Sequence, residues 1–161
     1  MNLSAPELED QMRKLNTLNG HLTYRITKLS KLLEAEAAIR LRDTGTNLTT
    51  YRIMLLVSIF DEITVSDLAR LMVIDRAQVS RLSTEMTRQG LLTSKPDRTN
   101  KLKKLLMLTP DGERHYAELR DKFEDRATII TDHATEEELN VLWKLVDRVS
   151  QHLSDRIERA T

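Results

Sequence analysis

The segment VSDLARLMVIDRAQVSRLSTEMTRQGLL, residues 65–92, decides the fold of this chain. It predicts two short helices that are joined by a three-residue corner. Ser66 can cap the first helix, and the spacing Asp75-x-x-Gln78 is typical of a capping box at the start of the second. The second helix should end at Gly90, because glycine commonly follows the last turn of a helix. Two helices joined in this way form a helix-turn-helix.

The two sides of the second helix differ in chemistry. At roughly 100° per residue, one side is apolar and can pack against the first helix. The apolar contacts predicted between the two helices are those of Val79, Leu82 and Met86 with Leu68, Ala69 and Leu71. The opposite side presents Ala77, Arg81, Thr84 and Arg88, with Gln78 and Ser80 on its flanks and Arg76 in the first turn.

A cation-rich helix surface of this kind favours binding to DNA. Arginine can bridge the two major-groove acceptors of guanine, glutamine can pair with adenine, and serine or threonine can bond a phosphate or a base. The alternative is an ordinary solvated helix, on which Arg81 and Arg88 pair with acids such as Glu85.

The cations are concentrated in one part of a chain that carries no net charge. The 161 residues include 25 Lys and Arg and 25 Asp and Glu, yet residues 76–104 hold eight cations and two anions. A basic surface on a neutral protein indicates a polyanionic partner that is bound by one face. Surface lysines that only provide solubility are the alternative.

The patterns around this segment predict a winged helix-turn-helix flanked by long helices, in a fold that is mainly α with a small β-hairpin wing. A first helix should begin after Ser4 and weaken at Asn19-Gly20. The other predicted helices are residues 21–42, residues 50–60 with a cap at Thr49, residues 110–133 with a cap at Thr109, and residues 135–158 with a capping box of Thr135 and Glu138. The predicted strands are an edge strand at 63–65 and a hairpin of 91–95 and 103–108, joined by the loop 96–102. We therefore expect a DNA-binding region at 48–109 and helical dimerisation regions at 4–43 and 110–161.

The predicted hairpin supplies further cations. Lys95 and Lys103 are expected to contact phosphates, with Arg98 and Lys101 at the tip. Strand alternation would send Lys104 to the face opposite Lys103, so these two lysines are not expected to share one phosphate track. The candidate DNA contacts are Ser66, Arg76, Ala77, Gln78, Ser80, Arg81, Thr84, Arg88, Lys95, Arg98, Lys101 and Lys103.

Three segments resemble the multiple-antibiotic-resistance regulator (MarR) family of bacterial transcription factors. They are NLTTYRIMLL (47–56), VSDLARLMVIDRAQVSRL (65–82) and GLLTSKPDRTNKLKKLLMLTPDG (90–112), in which the family's Leu-Thr before a helix, Gly-Leu start, basic wing and Leu-Thr-x-x-Gly recur. The resemblance covers roughly residues 21–133. It implies a two-fold dimer that represses transcription, with helix 76–89 in the major groove of a pseudo-palindromic operator and the two recognition helices about 34 Å apart.

The wing departs from the family pattern at three positions. The family usually carries Asp-x-Arg near the end of the wing, where the acid braces an arginine that enters the minor groove. Asn100 and Leu102 occupy those positions here, and Ser94 stands where the hairpin usually starts with an arginine. Leucine cannot make the minor-groove contact of the family's arginine, so Arg98 or Lys101 would have to make that contact instead.

The last predicted helix carries an apolar seam that resembles a heptad repeat. Its members, spaced three or four residues apart, are Leu139, Leu142, Val146, Val149, Leu153 and Ile157. A single winged region needs no such helix for its core, so the seam is expected to pack against a second copy, together with the N-terminal helices. An intramolecular helix pair is the alternative.

The resemblance also implies a small-molecule effector, since many relatives respond to small anionic aromatics bound where the dimer helices meet the winged region. A carboxylate would pair with arginine or histidine and a ring with tyrosine. The candidates by position are His21, Tyr24, Arg25, Tyr51 and Arg52. For each of them, an ordinary core or surface role is the alternative.

Several classes of function are disfavoured by the sequence. With no cysteine, the chain has no disulfide, thiolate metal site or cysteine nucleophile, and its four histidines share no metal-ligand spacing, so we expect no metal or cofactor. It also lacks a glycine-rich phosphate loop, a nucleophile elbow and a metalloprotease pair, so we do not expect an enzyme. Because no apolar run suggests a membrane span or signal peptide, we expect a cytoplasmic protein.

The alternative function is a winged-helix module that binds protein, such as an antagonist of a regulator. Against it, the exposed helix lacks the Leu, Tyr or Trp anchors of such surfaces.

Overall fold

The computed structural model describes residues 5–97 and 103–159. The chain divides into two compact units, Met1–Lys122 and Phe123–Thr161. The helices of the first unit are α1 (Ala5–Asn19), α2 (Leu22–Arg40), α3 (Leu48–Phe60), α4 (Val65–Met72), α5 (Arg76–Arg88) and α6 (Pro110–Asp121). Its strands are β1 (Ile63–Thr64), β2 (Leu92–Pro96) and β3 (Lys104–Leu108). In the second unit, a 3₁₀ turn (Glu124–Ala127) leads into α7 (Thr128–Thr131), which is followed by α8 (Glu136–Glu158).

The three strands form one antiparallel sheet in the order β1-β3-β2. Leu92 of β2 pairs with Leu108, Pro96 pairs with Lys104, and the short β1 pairs through Ile63 with Leu106. The order of helices and strands confirms the predicted winged helix-turn-helix, with β2 and β3 as the wing and β1 as an edge strand. None of the helices within the described residues combines the length and the apolar character of a bilayer span.

Side-chain caps fix the starts of both helices of the helix-turn-helix. The Thr64 hydroxyl accepts a hydrogen bond from the Asp67 amide at 3.1 Å at the start of α4. The Asp75 carboxylate accepts one from the Gln78 amide at 3.0 Å at the start of α5. Each cap satisfies an amide that has no partner within its own helix, which is worth about 1 kcal/mol of stability.

Left-handed residues end both of these helices. Val73 follows α4 with φ of 53°, a conformation that β-branched residues rarely adopt, and its side chain is 79% exposed. Gly90 follows α5 with φ of 75°. The Gly90 amide donates to the Thr87 carbonyl at 3.0 Å and the Leu91 amide donates to the Met86 carbonyl at 2.9 Å, which is the Schellman arrangement. The end of α5 and the start of the wing are therefore fixed by the backbone itself.

The core under α5 differs in part from the predicted one. Leu68, Ala69, Val79 and Met86 are buried as predicted. Leu71 was expected to be buried but is exposed. Leu82 is only half-buried. The buried face of α5 instead passes through Ser83, whose hydroxyl oxygen has no hydrogen-bond partner among the described residues.

Two predicted caps and one predicted helix end are wrong. Asn47, rather than Thr49, caps α3 by accepting from the Thr50 amide at 2.9 Å. Thr64, rather than Ser66, caps α4, so that Val65 belongs to the helix and not to the strand. The helix predicted for residues 110–133 stops at Asp121, and Arg40 donates to the carbonyl oxygen of Lys122 just beyond it, at 2.7 Å.

Thr109 and Gly112 attach α6 to the end of the helix-turn-helix. The Thr109 hydroxyl accepts from the Gly112 amide at 3.0 Å and donates to the Gly90 carbonyl at 2.5 Å. At Gly112 the two backbones approach so closely that a side chain would collide with Leu91. The threonine and glycine of the Leu-Thr-x-x-Gly motif therefore connect α6 directly to the residues that end α5.

In the second unit, α8 begins with the predicted capping box. The Thr135 amide donates to the Glu138 carboxylate at 2.8 Å, and the Glu138 amide donates to the Thr135 hydroxyl at 3.3 Å. The 23 residues of α8 bury no side chain within this chain.

Candidate nucleic-acid interface

The predicted outward side of α5 is exposed along its whole length. We call this surface the outer face; its members are Arg76, Ala77, Gln78, Ser80, Arg81, Thr84 and Arg88. Neither Arg76 nor Arg81 forms an ion pair with another described residue. Since none of these guanidinium groups is bound into the interior, the outer face presents cations and hydrogen-bond donors at the surface.

A basic groove of 620 Å³ lies beside the first turns of α4 and α5. Its lining consists of Thr64, Val65, Ser66, Asp75, Arg76, Ala77, Ser80, Lys103 and Lys104. Three of these residues are cations, and two helix N-termini add partial positive charge. The groove can therefore accept an anion such as a phosphate.

The two lysines at the start of β3 line the same groove, which differs from the prediction. Lys103 and Lys104 were expected on opposite faces of a strand, but both are exposed and both line the basic groove. The groove is formed by α4 and α5 as well as by the wing, so strand alternation alone could not predict its lining.

Two of the predicted DNA contacts are engaged by acids of the same chain. Arg88 donates from Nε to Glu85 Oε2 at 2.9 Å and from Nη2 to Glu85 Oε1 at 2.6 Å. Lys95 is half-buried and forms an ion pair with Glu62. The pairing considered for Arg88 in the sequence is therefore present, whereas the corresponding pair of Arg81 with Glu85 is absent from the described contacts.

Hydrogen bonds near the groove and on the outer face shift the pKa values of Glu85, Arg88 and Asp67. The hydrogen bond from Arg88 holds the pKa of Glu85 below its usual value, and Glu85 in turn raises the pKa of Arg88. A hydrogen bond from the Thr64 hydroxyl, at 2.6 Å, is the main cause that lowers the pKa of Asp67, with Arg70 and then Lys103 contributing further. These carboxylates are therefore ionised at neutral pH and partly offset the neighbouring cations.

The tip of the wing lies outside the described residues. This applies to the predicted contacts Arg98 and Lys101 and to the family departures Asn100 and Leu102. Ser94, the third departure, is exposed on β2 opposite Leu106.

The predicted effector residues do not converge within the first unit. His21, Tyr24 and Arg25 lie in the first turn of α2 or just before it, whereas Arg52 contacts Glu34 at 3.7 Å near the other end of that helix. At about 1.5 Å per residue, nine residues separate these two places by roughly 14 Å. Tyr51 is buried and lies against Tyr116, with 6.2 Å between ring centroids.

Several residues of this surface were not predicted from the sequence. Thr64, Val65, Asp75 and Lys104 line the basic groove. The binding of Arg88 by Glu85 was considered from the sequence only as an alternative to DNA contact. The spacing of Glu85 and Arg88, three residues apart on one helix, was the available signal for their contact. The groove residues come from three elements, and no sequence pattern brings those elements together.

Comparison with known protein families identifies this region. Residues 44–101 match the MarR family. This segment is similar to the MarR family, and it contains the winged helix-turn-helix. The match runs from the middle of the α2–α3 loop into the wing and therefore contains both α4 and α5. It confirms the resemblance read from the sequence motifs, over about the central third of the chain.

Solved structures extend the likeness in fold over most of the chain. The chain is similar to the transcriptional regulator SlyA, with a TM-score of 0.77, 18% identity, and coverage of 87% of this chain and 99% of that one. A SlyA-like transcription regulator from Listeria monocytogenes gives a TM-score of 0.74 and 21% identity, covering 84% and 91%. CouR from Rhodococcus jostii, solved with p-coumaroyl-CoA bound, gives a TM-score of 0.73 and 16% identity, with coverage of 82% of this chain and 93% of that one. The chain thus has the fold of MarR family transcription regulators. No curated protein matches it by sequence.

Proposed function

We propose that this chain is a homodimeric transcriptional repressor that binds a pseudo-palindromic DNA operator through α5. The observation that carries the proposal is the exposed outer face, with Arg76, Arg81 and Arg88 directed away from the interior. An α-helix is about 10–12 Å across with its side chains and fits a major groove roughly 12 Å wide. Arg81, at the centre of this face and without a described acidic partner, is the arginine best suited to bridge guanine O6 and N7.

The basic groove supports the second part of the proposal, which is contact with the DNA backbone. Arg76, Lys103 and Lys104 converge there beside the N-termini of α4 and α5. Contacts of this kind position a protein on the duplex and carry no base information, whereas those of the outer face do. Ser66 and Ser80, whose side chains also line the groove, can donate to the same phosphate.

The exposed apolar side chains support the homodimer. Of the 22 large apolar side chains that are exposed among the described residues, 17 lie on α1, α2 and α8. They include Leu142, Val146, Val149, Leu153 and Ile157 of the predicted seam, while Leu139 is half-buried. In each unit, exposed apolar helix faces of this kind mark interaction surfaces, and a two-fold partner would cover them with apolar surface of a second copy.

The proposal also includes a small-molecule effector. One structural neighbour, CouR, was solved with p-coumaroyl-CoA bound. We propose that a small aromatic or anionic molecule binds near Tyr24, His21 and Arg25 and reaches Tyr51 and Arg52 through the dimer. For Arg52, such a ligand would have to displace Glu34, which now lies 3.7 Å away.

Selection of bound duplexes from a random pool tests DNA recognition directly. We expect enrichment of a pseudo-palindrome whose half-sites are centred about 34 Å apart. With three groove cations in each of two subunits, log K should fall with log salt at a slope of roughly −5. Absence of any enriched sequence, with capture of a protein partner by the outer face, would replace the proposal with the protein-binding alternative.

Sedimentation of seam variants tests the homodimer. The double variant L142E/V149E places carboxylates in the apolar seam and should sediment as a monomer at concentrations where the wild type is a dimer. K144E changes the opposite side of α8 and is the matched control, because Lys144 lies roughly 160° from Leu142 and Val149 around the helix. The only tryptophan, Trp143, is 65% exposed, so its fluorescence should report the same association on dilution.

A further inference from the structure

Glu85 holds the guanidinium of Arg88 in a defined orientation. It accepts two hydrogen bonds from Arg88, at 2.9 and 2.6 Å, and its Oε1 also accepts one from the Gln89 side-chain amide at 2.8 Å. The carboxylate is therefore fixed by two residues of the last turn of α5. An exposed ion pair of this kind contributes little to the stability of the fold. Its main effect is therefore on the orientation of the Arg88 side chain.

The edge of the guanidinium that Glu85 leaves free is suited to a base. Glu85 uses the edge formed by Nε and Nη2. An arginine has five N–H donors, so three remain, and those on Nη1 and Nη2 form a second, parallel pair. The side chain of Arg88 is 75% exposed, which leaves this outer edge accessible. A parallel pair of donors matches the O6 and N7 acceptors of guanine.

Arg81 and Arg88 lie on the same side of α5. Seven residues correspond to roughly 700°, so the two side chains differ by only about 20° around the helix. Along the axis they are separated by about 10.5 Å, which is about three base-pair steps of 3.4 Å. Glu85, four residues after Arg81, lies about 40° from that line and so belongs to the same surface.

We infer that Glu85 is a positioning residue for sequence readout: it directs the free edge of Arg88 toward a guanine that lies about three base pairs from the base contacted by Arg81. This inference rests on the proposed function and names a specificity determinant within it. Each half-site should then contain two guanines at that spacing. Because Glu85 neutralises Arg88, this pair adds base discrimination without adding a cation to the phosphate contacts.

Removing the charge of Glu85 separates positioning from simple electrostatics. If Glu85 acted only as a negative charge near DNA, E85Q would raise the affinity for every duplex alike. If it positions Arg88, E85Q should lower the discrimination for guanine at one position, while affinity for unrelated duplexes stays equal or rises. The two roles therefore predict different results from the same variant.

The experiment uses the full chain and the duplex selected with wild-type protein, in which each guanine is replaced in turn. Loss of discrimination in R81A and in R88A assigns one guanine to each arginine. We expect wild-type discrimination of about 5- to 150-fold at the Arg88 guanine. R88A should abolish it, and E85Q should reduce it at least several-fold at that position only. D111N is the matched control, because Asp111 pairs with Arg114 at the same spacing on α6; it should bind like the wild type.

Two outcomes would overturn the inference while leaving the proposed function intact. In the first, E85Q keeps full discrimination at the Arg88 position. In the second, R88A weakens all duplexes equally, which would make Arg88 a backbone contact. A wild-type protein that enriches no sequence from the pool would instead remove the proposed function, and the inference with it.

Discussion

A Cβ atom at Gly112 would lie 2.1 Å from the carbonyl oxygen of Leu91. Position 112 therefore admits only glycine as long as α6 keeps its place against the end of the helix-turn-helix. The contacted atom belongs to the backbone and cannot rotate away. We expect G112A to lower the free energy of unfolding by about 3 kcal/mol, measured by urea denaturation with circular dichroism.

The control for this variant is G45A. Gly45 has a φ of 69° but no atom within 4 Å of its Cβ position. Its substitution should cost only the left-handed backbone penalty, about 1 kcal/mol. Equal losses in the two variants would contradict the close approach of α6 to Leu91.

The buried hydroxyl of Ser83 should make the chain less stable than an alanine would. It lies on the buried face of α5 with no hydrogen-bond partner among the described residues. We expect S83A to raise the free energy of unfolding by about 1 kcal/mol, because it removes an unsatisfied polar group. S80A, at an exposed site of the same helix, controls for the higher helix propensity of alanine. If both variants gain the same stability, burial of the hydroxyl has no cost of its own.

Thr64 and Asp67 should give α4 a stability that depends on pH. We expect T64V to lose about 1 kcal/mol at pH 7, since valine keeps the shape of threonine but cannot cap. The Thr64 hydroxyl keeps the folded pKa of Asp67 below the ordinary value of 3.8. A carboxyl with a depressed folded pKa stabilises above its unfolded pKa and loses that effect as the pH falls through the folded pKa.

The difference in unfolding free energy between wild type and T64V should therefore shrink below about pH 4. Urea titrations at pH 7, 5 and 3 would measure it. T64S keeps the hydroxyl and should follow the wild type at every pH. A gap that stays constant down to pH 3 would show that the Asp67 contact contributes nothing.

Arg81 and Lys103 should affect DNA binding in different ways. R81A removes a proposed base contact and should cost about 1–3 kcal/mol on the selected site while blurring base preference. K103A removes one proposed phosphate contact from each of the two subunits, so it should weaken all duplexes alike and reduce the magnitude of the salt slope by about 2. Gel-shift titrations at several salt concentrations measure both effects. Equal affinity of wild type and R81A for the selected duplex would refute the role of Arg81.

Periodicity and turn chemistry were sufficient to predict most of the fold. The spacing of apolar residues by three or four positions predicted the helices, and Gly90 marked the end of α5 correctly. The caps of α3 and α4 were misplaced because Asn47 and Thr49, like Thr64 and Ser66, are pairs of good capping residues two positions apart. Local sequence cannot choose between such neighbours.

The early end of α6 had no local signal at all. Residues 122–127 contain neither glycine nor proline and would continue a helix by propensity alone. In the structure, Phe123 is buried and leaves the helical conformation with φ of −112°. A contact with Arg40, which is 82 positions away in the sequence, occupies the preceding carbonyl oxygen. Long-range contacts of this kind cannot be read from a periodic pattern.

The outer face could be predicted from the sequence and the groove beside it could not. Helical spacing alone assigns Arg81 and Arg88 to one side of α5. The groove requires the relative placement of α4, α5 and the wing, which is why Lys104 was assigned to the wrong side. The pairing of Arg88 with Glu85 was one of two readings that spacing left open, and the geometry of their hydrogen bonds decides it.

The bond from Arg40 to the carbonyl of Lys122 brings the end of α2 to the end of α6. The two ends of the intervening stretch therefore lie within the reach of one arginine side chain. Protein segments with adjoining ends tolerate circular permutation and insertion into other scaffolds. Residues 40–122 accordingly have the neighbouring ends that favour transfer of a segment as a whole.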